Sequence, residues 1–444
     1  MKDVTNKIHK YSIMKKMFLL IIVLLQIVSG MGQTVPTPAK KQDTTIIIIY
    51  GNIHIGNGKI MNNKAIVIRE GKIAAIQDVN DASRFNFPHK LINATGKEIY
   101  PGLIAPSSQI GLAEIDAVRA TRDGNEVGEF NSNVRSIISY NTDSRVTPTI
   151  RSNGILLAQV MPNGGLVSGT SSVVQLDAWN WEDAVYKADD GMWMNWPNIY
   201  TYNGWWAEPG GFVLNKNYDK HLEQIKKFFR EAKAYCNASS HDKTNLKLEA
   251  MRGVFDGRMI VYIRADEAKT IYQILDFKKE FNINIVIQGG NDAWLVAKEI
   301  AEAKVPIMLD RVHTLPTRSD EDYDLPYKKA KILKDAGILY CLGIDGYWQI
   351  RNLPFMAGTT VAYGISKEDA LSSITLNTAK ILGIDKTTGS IEEGKDANII
   401  ISKGDVLDMR TNIIEHALIQ GRIINLGNKQ TDLYQKFSEK YNIK

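Results

Sequence analysis

Seven histidines, two cysteines and a glycine-rich run are the residues of this 444-residue chain best suited to chemistry, and their spacing restricts what they can do. The histidines are His9, His54, His89, His221, His241, His313 and His416. No two form an H-x-H or H-x-x-x-H pair, so neither a strand nor a helix carries a zinc clamp. Cys236 and Cys341 stand far apart and read as unpaired thiols rather than a disulfide framework. The run MPNGGLVSGTSS lacks the G-K-[ST] of a phosphate loop, which argues against nucleotide binding. It reads instead as a tight loop whose backbone N–H groups face a ligand. The segment GMWMNWPNIYTYNGWWAEPGG holds Trp193, Trp196, Trp205 and Trp206. Such rings suit stacking on a ring-shaped ligand, a subunit contact, or the packing of a long loop.

The elements that must position these residues fall into three blocks. After a polar linker (33–44), IIIIYGNIHIGNGKIMNNKAIVIREGKIAAIQ alternates short β-branched runs with GN, GNG, NN and EGK turns, the rhythm of tight hairpins. GSIEEGKDANIIISKGDVLD and HALIQGRIINLG repeat that character near the C-terminus. Between them apolar strands (GILLAQVMP, MIVYIRA, INIVIQGG, KVPIMLD, GILYCLGID) alternate with helical patterns. Helices are expected over 218–236, 265–281, 293–303, 326–336 and 367–382, with a short amphipathic helix at the C-terminus. NYDKHLEQIKKFFREAKAY has apolar residues at helical spacing and is structural. An apolar fraction of 44% and a charged fraction of 23% are those of an ordinary globular protein. The net charge of +5 is concentrated at the start: residues 1–32 hold five lysines against one aspartate, which leaves the remainder near neutral. That is no footprint for nucleic acid. Lys15-Lys16, the apolar run MFLLIIVLLQIV and the small residues SGMG read as a signal peptide over 1–32. At about a dozen residues the run is short for the ~20 of a spanning helix, so an exported, periplasmic or secreted protein is expected.

YPGLIAPSSQIGL, at 100–112, resembles the PGLID-x-H-x-H signature of the amidohydrolase superfamily. DALSSITLNTAKILGIDKTTGSIEEGKDANIIISKGD resembles that family's C-terminal run, with Asn398 where an aspartate is usual. GGLVSGTSSVVQLDAWNWED is similar to the imidazolonepropionase-like branch of secreted members. The resemblance implies an α/β fold: a TIM-like (β/α)8 barrel (101–387) inserted in a β-sandwich built from 45–100 and 388–428, followed by a C-terminal helix (429–444). It also implies metals at the barrel mouth, held by two histidines of strand 1, a lysine or glutamate of strand 4, one histidine each of strands 5 and 6, and an aspartate of strand 8. Here the histidine positions hold Ser107, Gln109, Arg264 and Gln288, and strand 4 offers no convincing lysine. Only Asp345, in LGID, matches, at the position of the general base. A buried carboxylate without a dication needs a counter-charge. The expectation is a bidentate Arg264–Asp345 pair, with Gln109, Gln288 and Ser107 completing a polar cluster. His313, with Trp205 and Trp206, is expected near the pocket.

Three functions follow from the resemblance. The first is a non-catalytic binding or assembly module, for a small-molecule ligand, for another copy of itself or for an active paralogue. The second is a divergent hydrolase of C–N bonds in cyclic amides or dipeptides, using one divalent metal such as zinc. The third is a metal-free activity of Asp345 with Arg264. Without the metal's charge stabilisation and ready hydroxide, amide hydrolysis is disfavoured.

Overall fold

The computed structural model describes residues 37–82, 87–205 and 207–443. The expected signal peptide, His9, the first residues of the linker and Trp206 lie outside the described residues. The β-branched runs near the N-terminus form β1 (Thr45–Ile49), β2 (Asn52–His54), β3 (Ile60–Met61), β4 (Lys64–Arg69), β5 (Lys72–Asp78), β6 (His89–Asn93) and β7 (Glu98–Pro101). The central section supplies β8 (Leu103–Ser108), β9 (Ile155–Val160), β10 (Val167–Gln175) and β11 (Val185–Asn195). A separate hairpin follows, β12 (Tyr200–Tyr202) with β13 (Phe212–Leu214). The section then continues with β14 (Ile260–Ala265), β15 (Ile285–Gly289), β16 (Ile307–Leu309) and β17 (Tyr340–Leu342). The C-terminal hairpins are β18 (Ile399–Ser402), β19 (Ile414–Ile419) and β20 (Arg422–Ile423).

The two ends of the chain meet in a β-sandwich. One sheet has the order β5-β4-β1-β6 and the other β20-β19-β18-β7-β2-β3, so strands from both termini share a sheet through the β18–β7 ladder. Ile46, Ile48, Ile66, Ile99, Ile399 and Ile401 close the space between them. Alternation puts these β-branched side chains on the inner faces, where burial is worth roughly 1.5–3 kcal/mol each. Asn398, the departure from the C-terminal pattern, is buried there: it donates to Thr388 Oγ1 at 2.9 Å and accepts from the Gln420 N–H at 2.9 Å.

β8 to β11 and β14 to β17 form one eight-stranded, nearly closed barrel sheet. β8–β9, β11–β14, β14–β15, β15–β16 and β16–β17 are parallel ladders. β10 departs from the uniform (β/α)8 expectation, because it runs antiparallel to both β9 and β11. Residues 161–166 are its whole link to β9, and a parallel crossover needs a dozen residues or more. The glycine run is therefore part connection and part strand rather than one loop. Gly164 and Gly165, at φ 83° and 61°, make the tight reversal. β17 and β8 share no ladder, and the Gln109 N–H donating to the Gly346 carbonyl at 2.7 Å crosses that seam. The expected helix over 367–382 is two helices, Lys367–Ser373 and Leu376–Leu382, broken at Thr375. That break turns Ala379, Ile381 and Leu382 into the barrel interior against Ile104, Tyr262 and Met308. Both cysteines are free, Cys341 within the barrel core. Among the described residues no helix is long and apolar enough to cross a membrane.

Candidate functional site

The C-terminal ends of parallel barrel strands gather their last inward-facing side chains at one mouth. In β14 the period of two turns Tyr262 and Arg264 inward; in β15 it does the same for Val286 and Gln288. The β14–β15 register sets Arg264 directly beside Gln288. Arg264 Nε donates to Gln288 Oε1 at 2.8 Å, and Nη1 donates to Asn163 Oδ1 at 3.0 Å and, more weakly, to Asn195 Oδ1 at 3.4 Å. Nη2 faces Asp345 Oδ2 at 3.6 Å and Met161 Sδ at 3.7 Å. The guanidinium also lies 5.9 Å from the Trp193 ring, which stacks on Tyr262. Neutral amides thus pin the cation, and Asp345 meets it through one long contact rather than the expected bidentate pair.

Asp345 is half-buried, and its backbone N–H donates to Asp310 Oδ1 at 3.3 Å. Burial raises its carboxyl above the usual range; Arg264 opposes the shift, and Asp310 adds to it. Asp266, next along β14, is raised by burial too, with Asp310 again contributing. Its Oδ1 sits so close to Gly289 that a Cβ there would fall 2.6 Å away, and Gly289 has φ 94°. Lys329 Nζ donates to Asn291 Oδ1 at 3.1 Å, and burial lowers its ammonium pKa.

Ser107 and Gln109 occupy the end of β8, Ser107 in the left-handed region at φ 49°. Ser107 Oγ is buried without a hydrogen-bond partner, as are Gln109 Nε2 and Trp193 Nε1. The Ser107 N–H donates to Gln159 Oε1 at 3.2 Å. Gln159 also donates to Asp190 Oδ2 at 2.7 Å, and Asp190 accepts from Ser171 Oγ at 2.7 Å and Tyr262 Oη at 2.9 Å. A neutral-donor network thus supports a fully buried carboxyl beneath the mouth, and burial raises its pKa.

The structure therefore brings Arg264, Gln288 and Asp345 together. Ser107 borders them through Gly343, where an added Cβ would fall 2.8 Å from Ser107 Oγ. His313 turns to the helix Leu353–Ala362, with Nε2 2.7 Å from Thr359 Oγ1, and burial lowers its pKa. Trp205 lies on the β12–β13 excursion, 55% exposed, whereas Trp193 and Trp196 are core residues. Sequence reasoning missed Asn163, Asn195, Met161 and Asp190. Asn163 was hidden in the glycine run and Asn195 in the tryptophan segment. Asn195 closes β11, the fourth barrel strand, whose one lysine, Lys187, donates instead to the Leu382 carbonyl at 2.8 Å. Among the described residues no three His, Cys, Asp or Glu side chains form a group that would hold a metal ion.

The amidohydrolase family profile matches residues 292–425, which run from the end of β15 to β20. This match supports membership of the amidohydrolase superfamily. The chain is 34% identical over 110 residues to an imidazolonepropionase of Flavobacterium psychrophilum, covering 22% of this chain and 27% of that protein. To an imidazolonepropionase of Picrophilus torridus it is 30% identical over 171 residues, 38% of this chain and 41% of that one. The matches thus span well under half the length of these curated relatives. The crystal structure of an amidohydrolase from Thermotoga maritima superposes with TM-score 0.74 at 23% identity, over 86% of this chain and 99% of that one, a likeness of fold.

Proposed function

We propose that this amidohydrolase-superfamily chain has exchanged the metal centre of its barrel for a guanidinium–carboxamide cluster, and that it binds a small-molecule ligand at the mouth without a metal. One observation carries the reading: Arg264 is fixed by Gln288 and Asn163 and faces Asp345, the sole carboxylate at the five positions compared with the family's ligand set. A dication needs several imidazole or carboxylate donors. Asp345 shares the mouth with Asp310, but the other groups around it are amides and a fixed positive charge, which repels a second cation. The set does not fit a divalent ion. The unpartnered Ser107, Gln109 and Trp193 atoms support a ligand-binding role, since buried polar atoms without partners are costly until something pairs them. The N-terminal basic and apolar run supports export.

The test is the metal content of the purified mature protein by elemental mass spectrometry, with Asp345→Asn alongside. The expected content is below about a tenth of an ion per chain in both, against the near-stoichiometric loading of a built site. Stoichiometric zinc, manganese or iron that falls in Asp345→Asn would overturn the reading and favour a divergent hydrolase of C–N bonds.

A further inference from the structure

The hairpin β12–β13 is a two-stranded sheet on its own: each strand pairs only with the other. Tyr200 lies opposite Leu214 and Tyr202 opposite Phe212, so all four side chains share one face. The rings of Tyr202 and Phe212 touch at 5.5 Å between centroids. All four are open to solvent: Tyr200 49%, Tyr202 52%, Phe212 74% and Leu214 66% exposed. The hydrogen-bonded pairs are the alternate ones, as the Asn203 N–H to the Gly211 carbonyl and the Asn215 N–H to the Ile199 carbonyl show. The backbone groups of the four apolar residues therefore point to the outer edges of the hairpin. A lone hairpin is marginal in water, and natural edges are usually guarded by charge. From Ile199 to Leu214 the only charged residue is Glu208, at the turn.

The geometry points to this apolar hairpin face as a two-fold contact with a second copy of the same chain. The face carries no charge, so two copies meet without repulsion and nothing on it selects a charged partner. The area fits the same occupant. Aromatic side chains present 150–250 Å² each and a leucine somewhat less, so three aromatic residues and Leu214, half to three-quarters exposed, supply on the order of 450 Å² per copy. Two copies together approach the ~1,000 Å² at which specific association begins. This contact is independent of what the barrel mouth binds.

Sedimentation velocity of the full mature chain from about 1 to 100 μM tests it, a range that brackets association in the micromolar regime. A concentration-dependent dimer is expected. Tyr202→Ser with Phe212→Ser should weaken it at least ~10-fold, the loss typical of central aromatic anchors, and the thermal unfolding profile should not change. Hydrogen–deuterium exchange needs no substitution: residues 199–214 should gain protection as concentration rises. A monomer throughout the range would overturn the inference, as would a dimer that survives both substitutions, open-ended aggregates, or protection that ignores concentration.

Discussion

Replacing Arg264 with alanine and, separately, Asp345 with asparagine distinguishes a cation held by amides from one held by an ion pair. Arg264 makes two well-formed hydrogen bonds, to Gln288 and Asn163, at 2.8 and 3.0 Å. Bonds to a charged group are worth about 1.5–3 kcal/mol each. The side chain is 27% exposed, so water recovers part of the loss, and the expected cost of Arg264→Ala is about 2–4 kcal/mol. The Asp345 contact looks large as bare electrostatics, about 5 kcal/mol at an effective dielectric of 20. Its carboxylate is 41% exposed, however, and such pairs net below about 1 kcal/mol once screening is counted. Burial also raises the Asp345 carboxyl despite Arg264. A raised folded-state pKa contributes stability that is present below the unfolded value and lost as pH rises through the folded one. At neutral pH the charge is thus a net burden, and Asp345→Asn should change stability by less than about 1 kcal/mol in either direction. The assay is thermal unfolding at pH 7. With ~2 cal/mol/K per residue of unfolding entropy, Arg264→Ala should lower the midpoint by about 2–5 °C and Asp345→Asn by little. An Asp345→Asn loss equal to that of Arg264→Ala would refute the reasoning, because the ion pair would then hold the cluster.

Two further predictions concern the joints around the barrel. His54 bridges Glu368 at 2.7 Å and Glu98 at 3.0 Å. Burial opposes its charge, but the two carboxylates outweigh burial and raise its pKa. Its stabilisation is thus complete below about pH 6.5 and falls as pH climbs through the raised value; His54→Gln should flatten the unfolding midpoint across that window, and an unchanged slope would assign it to another group. Asp177 accepts from Arg151, from Arg422 at 3.0 Å and from the Ala39 N–H at 2.8 Å, and only 2% of its side chain is exposed. Asp177→Ala leaves two cations facing an emptied, dry site and should cost about 3–5 kcal/mol, read as a lowered denaturation midpoint; a loss below about 1 kcal/mol would show that the arginines reach water.

Local sequence was enough to specify many of the elements and several of the site positions. β-Branched runs between tight turns made the sandwich strands legible, because alternation and turn chemistry are properties of a few adjacent residues. Arg264 and Gln288 were legible through the resemblance of their strands to the family's pattern, as Ser107 and Gln109 were through the PGLI frame. What the local pattern did not contain was the partner of each group. Arg264 is held by Asn163 and Asn195, which stand 101 and 69 residues earlier and carry no periodic signal. The antiparallel course of β10 follows from a link too short to cross over, and it unites strands that read locally as a glycine loop. The break at Thr375 is set by the barrel interior it serves, against a helical pattern that otherwise runs on. The four tryptophans of one segment look alike in sequence; burial against Tyr262 and Phe277 made Trp193 and Trp196 core, while Trp205 stayed in solvent. Sequence determined which side chains each element presents and on which face; only tertiary packing decided which of them meet, because contacts across the barrel depend on register and closure rather than on neighbours in the chain.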